Sequence, residues 1–230
     1  MNWMAGHDAR VGGCRWFMKY RNILGRDRHL TFELVYAIAA ERDLKDIVET
    51  GCIRDKNMSW GGDGCSSIIL SDLAFLLDGT LISVDIDREA CRVAELVTEK
   101  WHIYRSVICS DSLLFFGKRN KEIDVLYLDS GDDPYLQLKE IESALPKVNR
   151  NGIILLDDVP TKGTMAIDYA VEQGWIVHTL VYQALLLHID SLNKSYDGNE
   201  WAKSVSTIPS FSVYNEKEWD RIRQSIEEQR

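Results

Sequence analysis

The sequence predicts one α/β domain, in which helices cover both faces of a doubly wound, mostly parallel sheet with an antiparallel last strand. Segments of strand and helix character alternate five times along the 230 residues. Several strand segments are almost continuously apolar, as in TLISVD, IDVLYLD and GIILLDD. Such runs are typical of parallel strands whose two faces are both covered by helices.

The N-terminal half begins with a stretch of mixed charge, and its first periodic segment has Leu34 and Ile38 at helical spacing. The predicted elements then follow in order: a helix over His29–Leu44, a strand over Asp46–Thr50, a helix over Cys65–Leu77, a strand over Thr80–Asp85, a helix over Arg88–Trp101 and a strand over Ser106–Cys109. A glycine-rich loop, Gly51–Ser67, separates the first strand from the next helix.

The C-terminal half continues the alternation and then ends in a pair of strands. Its predicted elements are a strand over Ile123–Asp129, a helix over Tyr135–Val148, a strand over Gly152–Asp158, a helix over Thr164–Gln173 and two strands within Gly174–Tyr182 and Ala184–Asp190. A polar loop over Asn193–Ser206 and a strand fragment with a terminal helix over Phe211–Arg230 are predicted to follow. We therefore divide the chain into an N-terminal helical or lid segment (residues 1–45), a main domain (46–190) and an extension of that domain (191–230).

The composition of the chain indicates which partners and which cellular compartment to expect. The chain has 27 basic and 36 acidic side chains and a net charge of −9, so nucleic acids and anionic membranes are not expected as partners. Its five cysteines are scattered without a CxxC pair, which argues against a zinc site and fits reduced thiols. Neither a signal peptide nor a membrane-length apolar run is found, so we expect a cytoplasmic protein.

Each of the five alternating strands ends in acidic or small polar residues. These strand ends are Glu49-Thr50-Gly51, Asp85-Ile86-Asp87, Ser110-Asp111, Asp129 and Asp157-Asp158. A single acid at a strand end is well explained as a helix N-cap. For Asp87 and Asp133, an N-cap role and a binding role are both open. Caps do not explain all five strands. Since ligands of open α/β sheets bind beyond the carboxyl ends of the strands, we expect a binding site at this edge.

The residue types at this edge indicate the ligands. Asp85 is placed to accept hydrogen bonds from two ribose hydroxyls, as acids after the second strand do in nucleotide-binding folds. Asp129, Asp157 and Asp158 provide the oxygen ligands that Mg²⁺ or Mn²⁺ prefers. The loop after the first strand lacks GxGxxG, and Glu49 would repel a pyrophosphate. S-adenosylmethionine, which has a sulfonium, an ammonium and no phosphate, suits these residues better.

At this point the chain resembles the class I S-adenosylmethionine-dependent methyltransferases, which have a Rossmann-like fold. The segments ETG, VDID, CSDS and VLYLDS match four motifs of that family in order, within Asp46–His188. Among its subgroups the chain is most similar to the divalent-metal-dependent O-methyltransferases, of the catechol, caffeoyl-coenzyme A, macrolide-sugar and cephalosporin-biosynthesis types. LDSGDDPYL and GIILLDDV match the metal-binding positions of that subgroup at Asp129, Asp157 and Asp158.

The resemblance implies a role for each matched position. The implied donor contacts are Glu49, Thr50, Gly51, Ser66, Asp85, Ser110, Asp111 and Asp129. The implied catalytic residues are Asp129 and Asp132. Two features depart from the pattern of this subgroup. Asp132 occupies the place where the catechol type has a lysine base, and the loop after Gly51 is longer than usual. His29 is another candidate proton acceptor.

The implied reaction is methyl transfer to a hydroxyl of a small molecule, with a sugar preferred over a catechol-like phenol and a carboxylate. The acceptor and the oligomeric state stay open, although homodimers are common in such enzymes. Three alternatives remain: a metal-independent methyltransferase of the same fold, a non-catalytic S-adenosylmethionine-binding protein and a nicotinamide oxidoreductase.

Overall fold

The computed structural model describes residue 20 and residues 23–24, 28–57, 65–180 and 182–191, with only the backbone of Leu30. The predicted loop over 193–206, the predicted elements over 211–230 and most of the N-terminal segment lie outside these residues. The proposed domain bounds at both ends therefore stay predictions.

The described residues form six α-helices and seven strands. In chain order these are α1 (Arg28–Arg42), β1 (Asp46–Thr50), α2 (Ser66–Leu76), β2 (Thr80–Asp85), α3 (Arg88–Val97), β3 (Arg105–Cys109), α4 (Ser112–Lys118), β4 (Ile123–Leu128), α5 (Pro134–Ala144), β5 (Val148–Leu156), α6 (Thr164–Glu172), β6 (Trp175–Leu180) and β7 (Gln183–His188). Short 3₁₀ turns occur at Glu99–Trp101 and Leu145–Lys147, and a π-helical turn at Val159–Gly163 follows β5. Within the described residues no helix is long and apolar enough to cross a membrane.

The seven strands form one mixed sheet in the order β3-β2-β1-β4-β5-β7-β6. The first five strands are parallel to one another, and β7 lies antiparallel between β5 and β6. The predicted fold class is therefore confirmed. The strand order runs outward in both directions from the β1–β4 pair, so the sheet has its topological switch point there.

Alternating strand residues face two separate layers of helices. On one face Ile47, Val125 and Leu155 pack with residues of α1 and α2. On the other face Val48 and Leu126 pack with residues of α4, α5 and α6. This double cover explains the near-continuous apolar runs, since both sides of each central strand are buried.

The element bounds differ from the predictions in several places. Strand β5 spans Val148–Leu156 rather than Gly152–Asp158, and α3 ends at Val97 rather than at Trp101. Helix α4 was not predicted. Its N-cap residue is Asp111, whose side chain accepts a hydrogen bond from the Leu114 N–H at 2.9 Å. Helix α5 ends at Ala144 rather than at Val148. Pro146 lies in the 3₁₀ turn that follows α5, and proline has no N–H to continue the hydrogen-bond pattern of the helix.

Candidate functional site

A cavity of about 310 Å³ lies at the switch point, beyond the carboxyl ends of β1, β2, β3 and β4. We name it the rim cavity. Its lining residues are Gly51, Arg54, Val84, Asp85, Ile86, Asp87, Ser110, Asp111, Ser112, Asp129, Ser130, Gly131 and Leu136. Five of the predicted donor contacts are among them, namely Gly51, Asp85, Ser110, Asp111 and Asp129. The strand-end pattern thus brings these five residues to one place.

Gly51 allows the β1 loop to pass close to the end of β4. Its φ is +82°, and a Cβ atom there would lie 2.2 Å from the carbonyl oxygen of Asp129. The backbone is held at this crossing by the Asp129 N–H, which donates to the Thr50 carbonyl at 3.0 Å. Only glycine adopts this φ without strain and leaves room for the Asp129 carbonyl. This explains the glycine of the ETG segment at this wall of the cavity.

Asp85 lines the cavity and is anchored by backbone donors. Its two carboxylate oxygens accept from the N–H groups of Cys52 and Asp87, each at 2.8 Å. Each oxygen of an ionised carboxylate has room for a second donor, so Asp85 keeps capacity for two hydroxyl groups of a ligand. The neighbouring Asp87 caps α3 through the Glu89 N–H. Asp133 caps α5 through the Tyr135 N–H, so the N-cap interpretation of both acids holds.

Glu49 lies below the cavity rather than on its wall. The side chain is completely buried and accepts from the hydroxyls of Ser66 at 2.5 Å and Ser83 at 2.7 Å. Burial raises the pKa of Glu49 to about 7, against the effect of the serine donors. Thr50 is also buried. A direct donor contact by Glu49, Thr50 or Ser66 stays a prediction.

Asp129, Asp157 and Asp158 meet beside the rim cavity, and we name them the acidic triad. One carboxylate oxygen from each lies within 4.8 Å of the others. Asp158 adopts a left-handed backbone conformation with φ of 49°, which bends the chain directly after β5. Parallel pairing of β4 with β5 brings the ends of these two strands together, as the sequence predicted.

Two cations of the chain already contact the triad. Arg28 donates to Asp157 at 3.0 Å and to Asp158 at 3.1 Å. Lys162 donates to Asp129 at 3.1 Å, and its side chain is 1% exposed. Burial and the nearby Asp157 raise the pKa of Asp129 well above its ordinary value, although Lys162 opposes this. No sequence motif indicated either cation, because Arg28 begins α1 and Lys162 lies in the π-helical turn.

The triad matches a hard divalent cation in ligand type and spacing. Carboxylate oxygens are the ligands that Mg²⁺ and Mn²⁺ prefer, and three of them converge here. The Tyr127 hydroxyl donates to Asp157 at 2.8 Å and so orients one ligand. Arg28 and Lys162 supply two positive charges against three carboxylates, so the group keeps an excess of negative charge if all three are ionised.

Asp132, predicted as the base, is exposed in the loop between β4 and α5, outside the set of residues lining the cavity. Its role stays a prediction. His29 is half-buried next to Arg28, and among the described residues its Nδ1 atom has no hydrogen-bond partner.

Comparison with known proteins finds one match to a family model. Residues 61–159 match a family model described as a methyltransferase domain. This match covers fewer than half of the 230 residues. The match agrees with the resemblance found in the sequence motifs. No curated protein sequence matches the chain.

Solved structures share the fold of this chain at low sequence identity. The methyltransferase PaMTH1 of Podospora anserina, solved with SAH, has 15% identity and a TM-score of 0.53 over 81% of this chain and 90% of its own. The O-methyltransferase TomG of Streptomyces achromogenes, solved with SAM, has 15% identity and a TM-score of 0.52 over 81% and 92%. An O-methyltransferase of Bacillus cereus, solved with SAH, has 13% identity and a TM-score of 0.52 over 80% and 91%.

Proposed function

We propose that this protein is a methyltransferase, which transfers the methyl group of S-adenosylmethionine to a hydroxyl oxygen of a small molecule. The observation that carries the proposal is the charge of the rim cavity. Four carboxyl groups and one guanidinium, that of Arg54, line it at the switch point of the sheet. Such a wall favours a cationic nucleoside and disfavours a pyrophosphate, which supports S-adenosylmethionine over a nicotinamide dinucleotide.

The donor is proposed to lie across the carboxyl ends of β1 to β4. Asp85 accepts hydrogen bonds from the ribose hydroxyls, and Ser110 and Asp111 lie beside the adenine. The main chain at Gly51 and the carboxylate of Asp129 contact the amino-acid end. This placement assigns a donor contact to each predicted residue that lines the rim cavity. The acidic triad then lies next to the methyl group.

The reaction breaks the bond from sulfur to the methyl carbon and forms the bond from that carbon to the acceptor oxygen. The sulfur keeps the electron pair, and the hydroxyl proton passes to a base, for which Asp132 and His29 are the candidates. A divalent ion held by Asp129, Asp157 and Asp158 would lower the pKa of the acceptor hydroxyl. We propose a sugar hydroxyl as the acceptor, ahead of a catechol-like phenol.

A metal-independent methyltransferase is the second candidate, and the positions of Arg28 and Lys162 favour it. Both already neutralise carboxylates of the triad at 3.0–3.1 Å, so an ion has to share these ligands or displace a cation. In this version the two side chains supply the positive charge near the acceptor oxygen.

Donor binding is tested by calorimetric titration with S-adenosylhomocysteine. We expect Asp85→Asn to weaken the affinity about tenfold or more, because a charge-assisted acceptor of two hydroxyls is lost. Asp43→Asn is the matched control, since Asp43 is exposed at the opposite edge of the sheet and its left-handed φ of 55° suits asparagine. If the wild type failed to bind the nucleoside, or bound NADH with micromolar affinity, the proposed donor would be wrong.

Metal binding is tested by titrating Mn²⁺ and following its paramagnetic resonance signal. We expect binding by the wild type, and at least tenfold weaker binding by Asp158→Asn because a charged ligand is lost. Asp133→Asn serves as the control, since this N-cap residue is outside the triad. If millimolar Mn²⁺ stays free and a chelator changes neither thermal stability nor methyl transfer, the second candidate replaces the first.

A further inference from the structure

Two ionisable side chains outside the predicted site are buried behind the rim cavity. Glu140, on the second turn of α5, is 0% exposed, and Lys162, in the π-helical turn, is 2% exposed. Glutamate and lysine are almost never buried this fully unless their charged ends are paired, because a charge loses its favourable hydration when it is removed from water. The positions of their partners therefore indicate why they are retained here.

Both side chains reach the same residue of the cavity wall. The Ser130 hydroxyl donates to Glu140 Oε2 at 2.7 Å. The Ser130 carbonyl accepts from Lys162 Nζ at 2.7 Å, and the same ammonium donates to Asp129 Oδ1. Ser130 is thus held at its hydroxyl and its carbonyl by groups from α5 and from the turn after β5. The segment so fixed, Asp129–Gly131, lines the rim cavity.

Glu140 also interacts with the neighbouring strand ends. The hydroxyls of Thr50 and Ser112 act on its carboxyl group together with Ser130, and all three oppose the rise in the pKa of Glu140 that burial causes. Among the described residues, Glu140 Oε1 and Thr50 Oγ1 have no partner in hydrogen-bond geometry. One buried carboxyl group therefore lies behind three segments that form the cavity: the ends of β1 and β4 and the start of α4.

We propose that Glu140 and Lys162 are positioning residues, which hold Ser130 from two sides and thereby fix the Asp129–Gly131 wall against the bound donor. This inference rests on the proposed function, because the wall is assigned to the amino-acid end of S-adenosylmethionine. Neither residue touches the donor. Their effect on binding acts through Ser130 and through the direction of the Asp129 carboxylate.

The test compares buried residues with exposed ones of the same kind. Glu140→Leu and Lys162→Met are each expected to weaken S-adenosylhomocysteine affinity about tenfold, because a buried hydrogen bond to the wall is lost. Glu142→Leu and Lys139→Met are the matched controls, since this pair is solvent-accessible on the same helix. The controls are expected to bind within about twofold of the wild type. Glu140→Gln, whose amide oxygen still accepts from Ser130, is expected to recover most of the affinity.

A double-mutant cycle separates positioning from general loss of stability and covers the case in which Glu140→Leu does not fold. Ser130→Ala alone is expected to weaken binding about threefold, and adding Glu140→Gln to Ser130→Ala is expected to weaken it no further, because the hydrogen bond between the two side chains is already absent. Hydrogen exchange at residues 129–131 is expected to speed up in Ser130→Ala and not in Glu142→Leu. If folded Ser130→Ala and Lys162→Met bind like the wild type, the positioning role is wrong. A wild type that does not bind the nucleoside instead contradicts the proposed function.

Discussion

Glu49 illustrates how the position of a single side chain was predicted only in part. The sequence placed it correctly at the end of β1, and the structure buries it between β1, β2 and α2 through Ser83 and Ser66. Strand residues alternate between the two faces of a sheet, so Glu49 and Ile47 share one face while Val48 and Thr50 share the other. The alternation is visible in the sequence. Which of the two faces opens into the cavity depends on helices packed from elsewhere in the chain.

The burial of Glu49 predicts a pH dependence of stability. The folded-state pKa is about 7 against 4.5 for the free group, so the folded state holds the proton more tightly. Stability is therefore expected to fall as pH rises from about 4.5 to about 7, by up to about 3 kcal/mol. Glu49→Gln is expected to remove this loss, so that its stability relative to the wild type increases between pH 5 and pH 8.

Urea unfolding followed by tryptophan fluorescence measures this difference. A difference between Glu49→Gln and the wild type that stays constant across this pH range would contradict the assignment. Glu142→Gln is the control, because its carboxylate remains solvent-accessible and pairs with Lys139.

At the level of strands, helices and turns, apolar runs and turn residues predicted most of the structure. The central strands were predicted because burial on both faces leaves a continuous apolar signal. Helix α4 was missed because its seven residues cover fewer than two helical repeats of the apolar pattern. The glycine-rich loop was located from its composition. Residues 58–64 of this loop lie outside the described part of the chain.

Gly51→Ala is expected to destabilise the fold by about 2 kcal/mol or more, because it adds left-handed strain and a contact with the Asp129 carbonyl. The measurement is the free energy of unfolding in urea. Gly117→Ala is the contrasting variant: Gly117 lies in α4 with no atom within 4 Å of the added carbon. It is expected to stabilise the protein by about 0.5–1 kcal/mol. Equal effects at the two positions would show that the crossing at Gly51 tolerates a side chain.

For the molecule as a whole, sequence reasoning predicted the acids of the site better than the cations. Parallel strands present their carboxyl ends at one edge, so acids at Asp85, Asp129 and Asp157 were expected to converge. Arg28 reaches Asp157 across 129 positions of the chain, and no local pattern encodes a contact of that kind. The expected lack of nucleic acid partners rests on the net charge of −9 and stays a prediction.

The insertion of β7 between β5 and β6 has a consequence for the order of assembly during synthesis. Strand β5 pairs with β4 on one side and depends on β7 for the other. Until residue 188 has left the ribosome, the backbone amides of Ile153–Leu156 lack that second neighbour. Nascent or prematurely terminated chains therefore expose an apolar strand edge of the kind that chaperones recognise and that promotes aggregation.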